Sequence, residues 1–246
     1  MKIFLAGATG VIGRRLTALL RAAGHSVAGT TRSAVKVEEL KARGIQPVAV
    51  NVFDADALRD AVVRVKPDVV IHQLTDLPQL PDPSQLAEMV KINSRLRIEG
   101  TANLVAAARA AGARRLIAQS IAFAYAAGPE PHRETDPLAA AEGDAPAAIT
   151  ARGVRALEDA VLNAPGVDGI VLRYGRLYGP GTWFETASGR GPLHVDAAAQ
   201  AAFLAVTRGR PGVYNIAEDD GALTVDKARS ELGFDPAFRL SAQKAC

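Results

Sequence analysis

The opening stretch MKIFLAGATGVIG limits the fold more than any other part of the chain. KIFLA is an apolar run of strand length that stops at Gly7, and the helical spacing of Ile12, Leu16, Leu19 and Leu20 begins at once. A buried strand that breaks at a glycine and restarts as a helix needs tight geometry. Gly7 permits the bend, Gly10 lets the backbone approach a bound phosphate, and Gly13 lets the helix pack against the strand. Unpaired N–H groups at the helix start favour an anion. An ordinary glycine turn is the alternative. Strand before and amphipathic helix after are the context a dinucleotide-binding turn requires, so Gly7, Thr9, Gly10, Val11 and Ile12 are candidate contacts for a dinucleotide pyrophosphate.

Strand-length runs alternate with helical periodicity for the first two-thirds of the chain, which predicts an α/β fold with a parallel sheet and crossover helices. The strand candidates are KIFLAG, HSVAGTT, QPVAVNV, DVVIHQL, RRLIAQS, GIVLRYG and GVYNIA. The first, fourth and fifth are nearly continuous apolar runs, as expected where both sheet faces are covered. The first helix should end near Gly24, Asp54 should cap the helix that follows it, and Leu86, Met89, Val90, Leu104 and Val105 mark a long helix ending at Gly112. Two irregular segments, AAGPEPHRETDPLAAAEGDAP and GPGTWFETASGRGP, follow strands at their carboxyl ends, where open α/β sheets bind ligands. The expected architecture is a single Rossmann-type, doubly wound parallel domain over residues 1–246, with a reduced C-terminal substrate lobe from parts of 176–194 and 217–246.

Charge and cysteine content exclude several functions. With a net charge of +3 and arginines scattered along helices, the chain shows no basic stripe interleaved with aromatics, so nucleic acid is not an expected partner. The single cysteine, Cys246, offers neither an intrachain disulfide nor a thiolate metal site. No run of about 18 apolar residues suggests a membrane span. A cytoplasmic protein that binds a small molecule and no metal is the expectation.

Cofactor choice turns on the end of the second strand. An acid there would hold the ribose hydroxyls of NAD, whereas a base would pair with the extra phosphate of NADP. The chain offers TTRS, placing Arg32 and its neighbour Ser33 at that point with no acid before Glu38, which points to NADP, with NAD as the other choice.

Together with QSIAFAY, LRYGRLYGPG and HVD, the glycine turn resembles the extended short-chain dehydrogenases/reductases of the NAD-dependent epimerase/dehydratase type, over nearly the whole chain. The resemblance implies that Asn51 and Val52 stand where an Asp and an aliphatic residue meet the adenine. It also implies that Leu74 and Thr75 lie beside the cofactor ribose and phosphates; a plain loop after a strand is the alternative. The family's chemistry uses a Ser or Thr with a Tyr and a Lys, and here Thr150 and Val154 take the Tyr and Lys places. Neither can tune or move a phenolic proton. Ile121 takes the expected hydroxyl position, with Ser120 one residue earlier, either a pocket hydroxyl or a satisfied core serine. Tyr125 is the nearest substitute acid, so Ser120 and Tyr125 are the catalytic candidates. His194 reads as a docking residue, Asp196 as a helix cap, His72 as a core histidine, and His25 and His132 as loop residues. The resemblance implies an NADP-preferring oxidoreductase or epimerase relative acting on a small carbonyl or hydroxyl compound. A non-catalytic NADP sensor and a nucleotide-sugar epimerase or dehydratase are the alternatives. Relatives pair through the two long helices, here around 84–111 and 146–163, so a homodimer is a further expectation.

Overall fold

A computed structural model describes residues 1–78, 80 and 82–241, so Cys246 lies outside the described residues. The chain lays down β1 (Lys2–Ala6), α1 (Val11–Ala22), β2 (Ser26–Thr31), α2 (Ala34–Ala42), β3 (Gln46–Ala49), α3 (Ala55–Val65) and β4 (Val69–His72). Next come α4 (Leu86–Arg95), a π turn over Leu96–Gly100 and α5 (Thr101–Ala110), which run on as one long helix, and then β5 (Arg115–Ile121) and α6 (Pro146–Leu162). β6 (Asp168–Tyr174), β7 (Arg176–Tyr178), β8 (Pro192–His194), α7 (Val195–Leu204) and β9 (Gly212–Ile216) follow, and a π turn over Ala228–Leu232 comes last among the described elements.

Seven strands form one parallel sheet in the order β3-β2-β1-β4-β5-β6-β9. Each of the seven strands expected from the sequence is present. The order reverses direction between β1 and β4, which opens a crevice at their carboxyl ends. Alternation within strands assigns the two faces. Ile3, Leu5 and Ile71 meet Leu16 and Leu20 of α1 and the alanines of α7, whereas Phe4, Ala6 and Val70 meet Leu58, Leu104 and Leu157 on α3, α5 and α6. Each large apolar side chain buried this way contributes about 1.5–3 kcal/mol against the entropy of folding.

Two details differ from expectation. β3 stops at Ala49 although the apolar run continues to Val52; it is an edge strand containing Pro47, which cannot donate to a ladder. β7 and β8 form a separate two-stranded parallel sheet, with Tyr178 opposite His194, that brackets the loop between them. Their three-residue length carries too little periodicity to be seen in sequence. No helix among the described residues is long and apolar enough to cross a membrane.

Candidate functional site

The site begins where β1 meets α1. Gly7 adopts a φ of +95°, and a Cβ there would lie 2.5 Å from the carbonyl oxygen of Gln73 at the end of β4. At Gly13 a Cβ would overlap the Gly7 carbonyl, so helix and turn touch directly. Gly10 is different: its nearest obstacle is the Gly7 oxygen at 3.4 Å, and the space above it is open. Gly10 is also the N-cap of α1, makes no side-chain cap, and is followed by a first turn without an acid. The first N–H groups of α1 are therefore left to a ligand, and the helix dipole favours that ligand being anionic. The amide of Gly7 donates to Thr30 Oγ1 at 3.2 Å, tying the turn to β2.

A loop crosses this turn. Arg15 donates to the Pro180 carbonyl at 2.8 Å, and a Cβ at Gly181 would lie 3.2 Å from the Val11 side chain. Trp183 Nε1 donates to the Pro78 carbonyl at 2.9 Å. Residues 180–183 thus bridge from the start of α1 to the segment after β4. Leu74 and Thr75 lie in that segment, shaped from beneath by two side chains. His72, fully buried, accepts the Leu74 amide at Nδ1 (3.1 Å), which places its proton on Nε2 facing Thr101 Oγ1 at 3.1 Å. Burial, with a smaller contribution from the Arg97 charge, lowers the His72 pKa to about 4, so the ring is neutral. Asn93 clamps Asp76 by accepting its amide at 3.0 Å and donating to its carbonyl at 2.8 Å.

The second-strand end corrects one expectation. Exposed Arg32 does follow β2, but Asp76 lies 3.4 Å from its guanidinium. No acid stands before Glu38 in the sequence after Arg32, but one arrives from a segment more than forty residues away in the chain. Ser33 caps α2 in extended conformation without a side-chain bond. Asn51 Oδ1 accepts the Phe53 amide at 3.2 Å, and Val52 packs against Gly100 with its carbonyl held by Asn103 at 2.9 Å.

The catalytic candidates sit in a different environment. Ser120 is 1% exposed, and its hydroxyl donates to Glu158 Oε1 at 2.7 Å. Glu158 also receives Arg173 through a forked pair at 2.9 and 2.7 Å. Arg173 donates to the Tyr125 hydroxyl at 2.8 Å, and that hydroxyl donates to Asn215 Oδ1 at 2.7 Å. Burial would lower the Arg173 pKa, but the bonds and charge of Glu158 outweigh it and hold the group protonated. Burial pushes the Tyr125 phenol up, with Arg173 opposing, and the ring stacks on His132 at 5.0 Å. Beside this network Ile121, Ala124, Leu138 and Val154 form one apolar cluster.

Residues 3–190 match the model of the NAD dependent epimerase/dehydratase family. A Streptomyces protein, 3-diazoavenalumate denitrifying reductase, is 42% identical over 244 residues, covering 90% of this chain and 77% of that protein. The chain belongs to the NAD dependent epimerase/dehydratase family. Solved relatives in fold include UDP-glucose 4-epimerase from Thermotoga maritima with UDP-glucose, at 19% identity and a TM-score of 0.77 over 97% of this chain and 94% of that one. The Thermus thermophilus UDP-glucose 4-epimerase in complex with NAD gives 20% and 0.77, over 98% and 95%.

Within that family the departures noted from sequence gain a spatial meaning. The positions of the expected hydroxyl and lysine, Ile121 and Val154, do come together, and both are aliphatic. Asp196 departs from expectation too. His194 Nδ1, not Asp196, caps α7 by accepting the Asp196 amide at 3.2 Å, while the Asp196 carboxylate takes Arg15 Nε at 2.6 Å and the Leu240 amide at 3.0 Å. Sequence reasoning missed Asn93, Arg97 and Thr101. Their steps of four along one helix were the available signal. Among the described residues no group of three or more His, Cys, Asp or Glu side chains could hold a metal.

Proposed function

We propose that the protein is a nicotinamide-dependent reductase that removes a diazo group from a small carboxylate, the reaction type named in the Streptomyces relative. The aliphatic Ile121–Val154 cluster carries this reading. Reduction of a carbonyl requires both a hydride and a proton, and the family's acid positions hold no group able to supply one. Reduction of an aryl diazonium requires only the hydride: Ar–N2⁺ + H⁻ gives Ar–H + N2. The C–N bond breaks, a C–H bond forms, the electron pair comes from the reduced nicotinamide, and no proton leaves the protein. An aliphatic wall holds no nucleophile and keeps water from a reactive group of this kind.

When bound, a reduced nicotinamide dinucleotide supplies the hydride. The uncapped first turn of α1 fits its pyrophosphate, with Gly7, Thr9, Gly10, Val11 and Ile12 as the contact residues. Asn51 and Val52 serve the adenine, and Leu74 and Thr75 the ribose side. Arg32 with Ser33 favours NADP, its weak exposed pairing with Asp76 giving way to a phosphate. Ser120 and Tyr125 act in this reading as structural supports of the wall, since each hydroxyl already has its proton committed inside the protein. Pairing of two copies through α4–α5 and α6 belongs to the same proposal.

The test mixes the protein with NADPH and an aryl diazonium carboxylate and follows loss of reduced nicotinamide alongside N2 release. One N2 per NADPH is expected, and Tyr125→Phe should keep the rate within about threefold, far from the hundredfold or greater loss typical of a removed acid. Tight NADPH binding with no oxidation across diazo and carbonyl substrates would instead support the sensor reading, which the missing acid pair also favours.

A further inference from the structure

We infer that Arg97 anchors the carboxylate of the substrate at the crevice, between the end of β4 and the long helix. This deepens the reductase reading and rests on it for the identity of the substrate. Asn93, Arg97 and Thr101 follow one another in steps of four along the long helix. Such steps drift round an ordinary α-helix of 3.6 residues per turn, but the π turn at Leu96–Gly100 is wider and keeps the three on one stripe. The two outer members fix where that stripe faces. Asn93 bonds the backbone of Asp76 and Thr101 meets His72, so Arg97 between them faces residues 73–75, the segment that borders the crevice.

Its electrostatic state is unusual. Among the described residues no hydrogen bond or ion pair reaches the Arg97 guanidinium, although the group is half-buried. Loss of water lowers its pKa to about 10, with no carboxylate near enough to offset this, and its charge is felt at His72. Arg95, two residues earlier, is by contrast exposed and forked onto Glu99 at 2.6 and 3.2 Å. A guanidinium kept charged, partly dry and without a partner is costly unless an anion completes it, and a carboxylate matches its planar fork. On the proposed function the pyrophosphate is met by the uncapped first turn of α1, and the anion assigned to Arg97 is the substrate's carboxylate.

Calorimetric titration of the NADPH-loaded protein with cinnamate, an aryl carboxylate without a diazo group, and with methyl cinnamate tests this without turnover. Wild type should bind the acid at least about tenfold more tightly than the ester, the worth of one charge-assisted contact. Arg97→Met should bind both alike, Arg97→Lys should recover part of the preference, and the NADPH affinity of both variants should stay within about twofold. Equal binding of acid and ester by wild type overturns the inference. So does an Arg97→Met protein that keeps the preference, or one whose loss is in NADPH affinity. If Arg97→Met fails to fold, the wild-type comparison and Arg97→Lys still decide. A protein that shows the Arg97-dependent preference but reduces no diazo group keeps this inference and loses only the proposed reaction.

Discussion

The two sides of the crevice are built on opposite plans. On the α1 side, backbone N–H groups stand unpaired behind three glycines, and little side-chain structure is committed. On the β5–α6 side polar groups are committed to one another: Ser120, Glu158, Arg173, Tyr125 and Asn215 form one chain of bonds beside an apolar cluster. The first plan leaves capacity for a ligand. The second spends polar groups on rigidity, and the hydroxyls of Ser120 and Tyr125 are both bonded within it.

The largest expected effect breaks the committed side. Glu158→Ala strands Arg173 in the core, and removal of one partner of a buried pair costs about 3–5 kcal/mol. Urea unfolding should show this as a large drop in midpoint, and a shift below about 1 kcal/mol would mean that the network is not what holds this side together.

His72 sharpens the contrast through pH. Its folded pKa of about 4 lies below the unfolded value of 6.5, so between those values the unfolded chain binds a proton that the folded chain refuses. Stability is whole above pH 6.5 and falls as pH drops toward 4, by roughly 3 kcal/mol from this group. Denaturation curves at several pH values in wild type and His72→Gln should show the slope in wild type and a flatter dependence in the variant.

The open side should respond to Gly10→Asp with opposite signs. Its φ of −73° suits any residue, so the new carboxylate caps α1 and raises stability by a few tenths of a kcal/mol. The same charge occupies the phosphate position, and dinucleotide affinity should fall about a hundredfold by fluorescence titration. Loss of both stability and affinity would show that Gly10 is a folding requirement instead of a ligand surface. Smallest is the cofactor effect: Arg32→Asp should weaken NADPH about tenfold relative to NADH, and Asp76→Asn should move the ratio the other way. Equal changes for both nucleotides in the titration would remove Arg32 from the phosphate.

Much of the fold was legible because it is written locally. The period of the apolar residues marks strands and helices, the glycine spacing marks one turn, and Asp54 caps α3 with its carboxylate 3.0 Å from the Ala57 amide, as its position before ADALRD indicates. Asp196 failed the same rule because a stronger partner, Arg15, lies 181 residues away in the chain.

The sequence by itself determined the seven strands, the strand–glycine–helix unit and the spacing of Thr150 and Val154 on α6, since each depends on residues within a few positions of one another. Only the tertiary structure decided that Ser120 serves Glu158, that Asp76 stands against Arg32, and that Asn93 and Thr101 brace the segment after β4. Those outcomes depend on which distant groups share a small dry volume, where one charge or hydroxyl can satisfy only the neighbours that packing brings to it.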